Sequence, residues 1–180
     1  MDTIEQSAGD LWVFGYGSLI WRPGFAHVET RRARLYGYRR SLCVYSFVHR
    51  GTRQRPGLVL GLDHGGACVG LAFRVPGELR DEVIDYLRDR ELVTSVYLER
   101  TLKVRLDGGG TVEAVAYIVD RKHEQYAGAL DAAHAAAVVR GAVGQSGNNE
   151  DYVLSTLEHL EALGISDHWL EEVARRVAPL

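Results

Sequence analysis

The first apolar run of the chain is Leu11-Trp12-Val13-Phe14, and it halts at Gly15-Tyr16-Gly17-Ser18. A short apolar run stopped by glycines predicts a buried strand entering a tight loop. Residues 33–48 are rich in Tyr, Leu, Val and Phe, with Arg39 and Arg40 interspersed, and predict one or two strands. Arg55-Pro56-Gly57 marks residues 50–57 as a loop. Two further apolar stretches, 58–62 and 68–75, read as a hairpin turned at Asp63-His64-Gly65-Gly66. A second hairpin is predicted over 97–106 and 111–119, turned by Asp107-Gly108-Gly109-Gly110. Its first arm alternates Leu102, Val104 and Leu106 with Thr101, Lys103 and Arg105, the pattern of a half-buried strand.

Helical spacing appears in four places. After Pro76-Gly77, residues 78–91 set Leu79, Val83, Tyr86 and Leu87 on one face. Residues 130–142 are Ala-rich. Residues 148–163 carry Val153, Leu154, Leu157, Leu160 and Leu163 and end at Gly164, a good helix-stopping residue. Asn149 is read as the N-cap of that helix. A last short helix begins near Ser166 or Asp167 and carries Trp169, Leu170 and Val173. Strands dominate the first two-thirds, one helix interrupts them, and helices close the chain. That order predicts an α+β domain with a mostly antiparallel, barrel-like sheet and flanking helices, not a doubly wound fold.

Composition narrows the class. At 180 residues, with 46% hydrophobic and 25% charged, the chain is globular and long enough for one domain with a full core. Residues 1–10 are polar and expected to be flexible, leaving residues 11–180 as a single domain. No stretch approaches a membrane span, and the start lacks a signal peptide's basic and apolar regions, so a soluble, cytoplasmic protein is expected. Two cysteines, Cys43 and Cys68, argue against a disulfide framework and read as small buried apolar residues. Net charge is −3, yet residues 1–60 hold nine Arg against four Asp or Glu. A basic first third can face an anionic ligand, or simply be a solvated sheet face. An Arg-rich RNA-binding module is a rival class, but the excess is modest in a chain that is acidic as a whole.

Glu91 is the most informative residue. It lies four positions after Leu87 and seven after Ile84, within about 40° of both on an ideal helix. A carboxylate on the buried face, near the negative end of a helix, has its charged form disfavoured. Such a group suits a general base near neutral pH. The same position also suits a helix-end glutamate that turns outward or pairs with Arg88 or Arg90. Gly15-Tyr16-Gly17-Ser18-Leu19-Ile20 is the second candidate, since two glycines after a buried strand let backbone N–H groups point at an anion. An ordinary turn is equally compatible with it. It is neither a dinucleotide fingerprint, with Ile20 where a third glycine would stand, nor a G-x-S-x-G elbow. The seven His form no metal motif.

Taken together, these segments resemble the ChaC family of γ-glutamylcyclotransferases. The likeness rests on residues 12–21 around Gly15-Tyr16-Gly17-Ser18-Leu19-Ile20, on Arg55 to Leu60, and on Tyr86-Leu87 with Arg90-Glu91-Leu92. It continues through Gln125-Tyr126-Ala127-Gly128 and residues 146–153, and so covers roughly residues 11–175. Asn148 departs from the usual pattern just before the asparagine of the last segment, and Val153 stands where Leu is usual. The resemblance implies a small α+β domain around a six- or seven-stranded barrel-like sheet. It implies cleavage of glutathione to 5-oxoproline and cysteinylglycine with no cofactor and no metal. A monomer or weak homodimer that engages neither nucleic acid nor membrane is expected. It places the catalytic glutamate at Glu91 and the substrate-binding loop at Gly15, Tyr16, Gly17, Ser18, Leu19 and Ile20, with Phe14 beside it. Tyr97 and Tyr126 are expected to donate hydroxyl hydrogen bonds to the substrate, and Arg39, Arg40 or Arg53 to attract it. A related cyclotransferase acting on other γ-glutamyl amines or amino acids is the alternative.

Overall fold

A computed structural model describes residues 9–178. Five strands close a barrel in the order β1 (Leu11–Gly15), β3 (Gly57–Val75), β2 (Glu29–Ser46), β4 (Tyr97–Leu106) and β5 (Thr111–Val119). β1 pairs antiparallel with β3, setting Val13 opposite Phe73. It closes the barrel by pairing parallel with β5, Trp12 opposite Ala114. β4 and β5 form the predicted hairpin, and β2 joins β4 with Arg34 opposite Arg105. The fold is the expected α+β class, with five strands in the barrel rather than six or seven.

Backbone contacts divide the chain into two units, Met1–Arg40 with Leu62–Val119, and Ser41–Gly61 with Asp120–Leu180. The first unit holds most of the barrel. Its core includes Trp12, Phe14, Leu35, Leu62, Leu106 and Tyr117, all nearly inaccessible. The four-residue helix α1 (Ser18–Trp21) follows β1 directly, and α2 (Arg80–Glu91) follows one 3₁₀ turn at Gly77–Leu79. α2 buries Val83 and Leu87, as their spacing predicts. Residues 1–8, expected to be flexible, lie outside the described residues. Asp10 is held: its carboxylate accepts bonds from Arg74 and from the Gly77 amide, both at 3.0 Å.

The hairpin predicted at Asp63–Gly66 is absent. β3 runs as one strand of 19 residues straight through that segment. Gly65 and Gly66 adopt φ of 101° and 71°, the left-handed conformation that glycine tolerates. They distort the strand without reversing it, as glycines at a bulge do. Asp63, fully buried, helps fix this stretch by accepting from the His64 amide at 2.9 Å and from Arg39 at 3.3 Å.

The second unit packs α3 (Ala132–Val139) and α4 (Asn149–Ala162) against α5 (His168–Val177). Between α3 and α4 lies a small two-stranded ribbon, β6 (Val143–Gly144) and β7 (Gly147–Asn148), which the sequence pattern did not predict. The Ala-rich helix is correspondingly shorter than expected. Asn148, not Asn149, is the N-cap of α4 and accepts from the Asp151 amide at 2.8 Å. Asn149 is fully buried and acts as a substitute for a strand neighbour. Its Oδ1 accepts from the Leu58 N–H at 2.8 Å, and its Nδ2 donates to the Leu58 carbonyl at 2.9 Å. Gly57 has no room for a side chain there, since an added Cβ would lie 2.7 Å from Asn149 Oδ1.

Candidate active site

The loop after β1 is set by what lies behind it. Phe14, Leu19 and Ile20 bury their side chains in the core, Gly15, Tyr16 and Gly17 are buried with them, and Ser18 alone in the loop is exposed. The Ile20 N–H donates to the Gly17 carbonyl at 2.9 Å and closes the turn. Behind it, β3 passes at Gly70, where a Cβ would fall 2.2 Å from the Gly15 carbonyl oxygen and 2.9 Å from the Phe14 ring. Arg40, almost fully buried, donates from Nε to the Tyr16 carbonyl at 2.6 Å and from Nη2 to the Val69 carbonyl at 2.7 Å.

Glu91 closes α2 with its side chain 16% exposed. Burial pushes its carboxyl above the usual carboxylate range, against a smaller opposing pull from Arg90. Both sequence-based readings therefore hold in part: Glu91 lies on the buried face, and it pairs with Arg90, Nε to Oε1 3.5 Å. Arg88 turns away instead, binding Glu99 through Nε at 3.1 Å and Nη2 at 3.0 Å.

Arg90 is the residue that brings the two candidate features together. From the end of α2 its Nη2 donates to Ser18 Oγ at 3.1 Å. Its Nη1 donates to the carbonyls of Arg22 at 2.6 Å and Pro23 at 3.2 Å, and to the Tyr86 hydroxyl at 3.2 Å. Tyr86 in turn occupies the place a side chain at Gly24 would need, and Gly24 sits at φ 73°. One guanidinium thus ties the glycine loop, the segment after α1 and the Glu91 carboxylate into a single array.

A second array adjoins it. Glu99 and Tyr117 are direct cross-strand partners, and the Tyr117 hydroxyl donates to Glu99 Oε1 at 2.9 Å. Burial, the bond to Glu99 and the nearby charges of Glu99 and Glu91 all push the Tyr117 hydroxyl strongly up, so it stays a proton donor. The Arg88 hydrogen bond holds Glu99 below the usual carboxylate range, assisted by Tyr117. Two carboxylates in one unit are thereby driven in opposite directions, Glu91 toward holding a proton and Glu99 toward staying ionised.

Tyr97 is half-buried at the start of β4, opposite Val119. Tyr126 belongs to the second unit, bridged to Val44 with the Arg121 guanidinium 5.6 Å over its ring. The arginines expected to attract substrate are engaged in the fold. Arg39 pairs with Asp63, Arg40 holds the two carbonyls above, and Arg53 lies over Phe47 and pairs with Glu124. Sequence reasoning missed Arg40 as a support of the loop, and Tyr117 with Glu99. Arg40 acts across 24 residues on a backbone carbonyl, which leaves no spacing to read. The Glu99–Tyr117 pairing follows from the hairpin register and was open to inference from it. Among the described residues no cluster of His, Cys, Asp or Glu could hold a metal ion, and no helix is long and apolar enough to cross a membrane.

Comparison with known proteins gives this arrangement its family. The chain is 35% identical over 172 residues to the glutathione-specific γ-glutamylcyclotransferase of Escherichia coli strain K12, covering 96% of this chain and 74% of that protein. It is 34% identical over 158 residues to the human glutathione-specific γ-glutamylcyclotransferase 1, covering 86% and 71%. A crystal structure of a yeast γ-glutamylcyclotransferase specific to glutathione superposes with a TM-score of 0.83, covering 94% of this chain and 96% of that one. At 23% identity that likeness speaks for the fold. The model of the ChaC-like protein family matches residues 11–179, and the chain belongs to that family.

Proposed function

We propose that the protein is a γ-glutamylcyclotransferase that cleaves glutathione to 5-oxoproline and cysteinylglycine, with residues 11–180 as one catalytic domain and Glu91 as its base. The relatives' shared activity supports the substrate. The observation that carries the mechanism is the half-buried Glu91 carboxylate joined through Arg90 to the Gly15–Ile20 loop.

The reaction needs no outside nucleophile. The α-nitrogen of the γ-glutamyl group attacks its own side-chain amide carbon and closes a five-membered ring. Holding the substrate curled removes conformational freedom beforehand, and this kind of positioning can supply several kcal/mol of the barrier, up to about 7–11 kcal/mol. The α-ammonium begins with three hydrogens and the lactam nitrogen ends with one, so two protons must cross to the departing nitrogen. Glu91 takes these two protons from the attacking nitrogen one at a time and returns each to the leaving one. A carboxyl raised by burial does both steps better than an exposed one, because its proton affinity lies closer to that of its partners. Loop N–H groups between Gly15 and Leu19 stabilise the anion, and Tyr97 supplies a hydroxyl on the same unit.

Incubation with glutathione should release 5-oxoproline and cysteinylglycine in equal amounts, read by mass spectrometry, with γ-glutamyl-alanine turned over much more slowly. Glu91→Gln keeps size and shape but removes the base, so turnover should fall on the order of 10²–10⁴-fold. Glutathione binding, followed by calorimetry, should persist in that variant. Preferred turnover of γ-glutamyl-alanine would transfer the activity to another γ-glutamyl substrate, and a fully active Glu91→Gln would remove Glu91 from the mechanism.

A further inference from the structure

We infer that Arg40 is a positioning residue that aims the Gly17 N–H at the anionic group of the substrate. The inference rests on the reading of the Gly15–Ile20 loop as a substrate contact and names the part of it that does the work. Arg40 sits at the end of the first unit's share of β2, with 5% of its surface exposed. A guanidinium removed from water in this way is costly unless its donors are used. Two of them go to main-chain carbonyls, Tyr16 at 2.6 Å and Val69 at 2.7 Å. One side chain therefore fastens the loop to β3 at the point where Gly70 lets the two backbones touch.

The consequence lies in the peptide plane. The Tyr16–Gly17 bond is trans, since the described residues contain no cis peptide. In a trans peptide the C=O and the following N–H point in opposite directions. Fixing the Tyr16 carbonyl on Arg40 therefore turns the Gly17 N–H away from Arg40. Among the described residues no acceptor takes that N–H. The cation on the carbonyl side also polarises the same peptide, which makes its N–H a stronger donor. Arg40 thus does for the loop what an arginine in direct contact would do for an anion, but through one peptide group. This role accounts for the burial of Arg40 in a stretch where Arg32 and Arg34 are exposed and Arg31 and Arg39 half-buried.

The test compares wild type with Arg40→Lys, which keeps the charge but cannot span two carbonyls with a planar fork. In solution NMR the ¹⁵N resonance of Gly17 reports the hydrogen bond on the preceding carbonyl, and it should move in Arg40→Lys even without substrate. kcat/KM for glutathione, per folded molecule, should drop roughly 10–100-fold, the scale expected when a reacting group is misplaced by about 1 Å. A lower Tm with an unmoved Gly17 resonance and unchanged kcat/KM would reduce Arg40 to a structural part and overturn the inference. Should Arg40→Lys not fold, the Arg40 Nε–H and Gly17 N–H can be followed together in Glu91→Gln as glutathione is added. Both should shift with one binding curve, and movement of the Gly17 N–H with no response from Arg40 overturns the proposal. If wild type fails to cleave glutathione, the functional reading falls, whereas the Gly17 resonance in Arg40→Lys still decides whether Arg40 orients that peptide.

Discussion

Two influences act on Glu91 in opposite directions, and burial is the larger. Arg90 holds the carboxyl down from 3.5 Å, so removing its charge leaves burial unopposed. Arg90→Gln should therefore raise the Glu91 proton affinity further. Because the base must be ionised to work, the acid limb of the kcat profile should move to higher pH. Arg90→Lys keeps a cation near the carboxylate and should leave the limb close to wild type, while weakening the ties to Ser18, Arg22 and Pro23. A pH–rate series on the three proteins reads both effects, and a limb that stays in place in Arg90→Gln would uncouple Arg90 from the base. At this scale Glu91 was legible in the sequence because helical periodicity locates a face from spacing alone. The reach of Arg90 to Ser18 spans 72 residues and depends on how α2 docks, which no local pattern encodes.

The glycines show at the scale of elements how close approach is built in. Gly70 lies on β3, outside the loop, yet an alanine there would drive a methyl to 2.2 Å from the Gly15 carbonyl. Backbone cannot yield as a flexible side-chain tip can, so the loop must shift. Gly70→Ala is expected to lower kcat/KM for glutathione by about 10²-fold or more through that displacement. Wild-type kinetics in a folded Gly70→Ala would show that the loop's position is immaterial. Asn149 makes a contrasting case in the second unit. Asn149→Ala would leave both the N–H and the C=O of the buried Leu58 without partners, a loss on the order of 2–5 kcal/mol from two unsatisfied groups, visible in denaturant unfolding. The hairpin of β4 and β5 was predictable because an alternating first arm leads into an Asp-Gly-Gly-Gly turn followed by an apolar second arm. The supposed hairpin at Asp63–Gly66 carried similar turn residues, but whether left-handed glycines reverse a strand or merely distort it depends on its neighbours. In β3 both halves remain part of one strand, and pairing within the barrel overrides the local signal.

For the whole molecule the order of strands and helices was enough to give the α+β class, since hydrophobic period changes from two to 3.6 along the chain. The parallel closure of β1 on β5 was not, because it joins segments about a hundred residues apart. Stability of the whole chain against pH then gives a test of the opposed carboxylates. Glu91 is raised in the folded state from an ordinary 4.5, so its favourable contribution is fully present below that value and is lost as pH rises through the folded value. Glu99 is lowered, so its contribution is present above 4.5 and is lost as pH falls through its folded value. Glu91→Gln removes a charge that burial opposes, and its Tm relative to wild type should be near zero difference below pH 4.5 and become positive toward pH 7. Glu99→Gln weakens the bonds to Arg88 and Tyr117, so its Tm should lie below wild type at pH 7, with the gap closing in acid. The two difference curves must therefore depart from zero in opposite directions as pH rises, a pattern that calorimetry across pH 3.5–8 resolves directly. If Glu91→Gln is instead destabilised at pH 7 and recovers in acid, the ionised carboxylate is held favourably by Arg90, and burial does not govern the base.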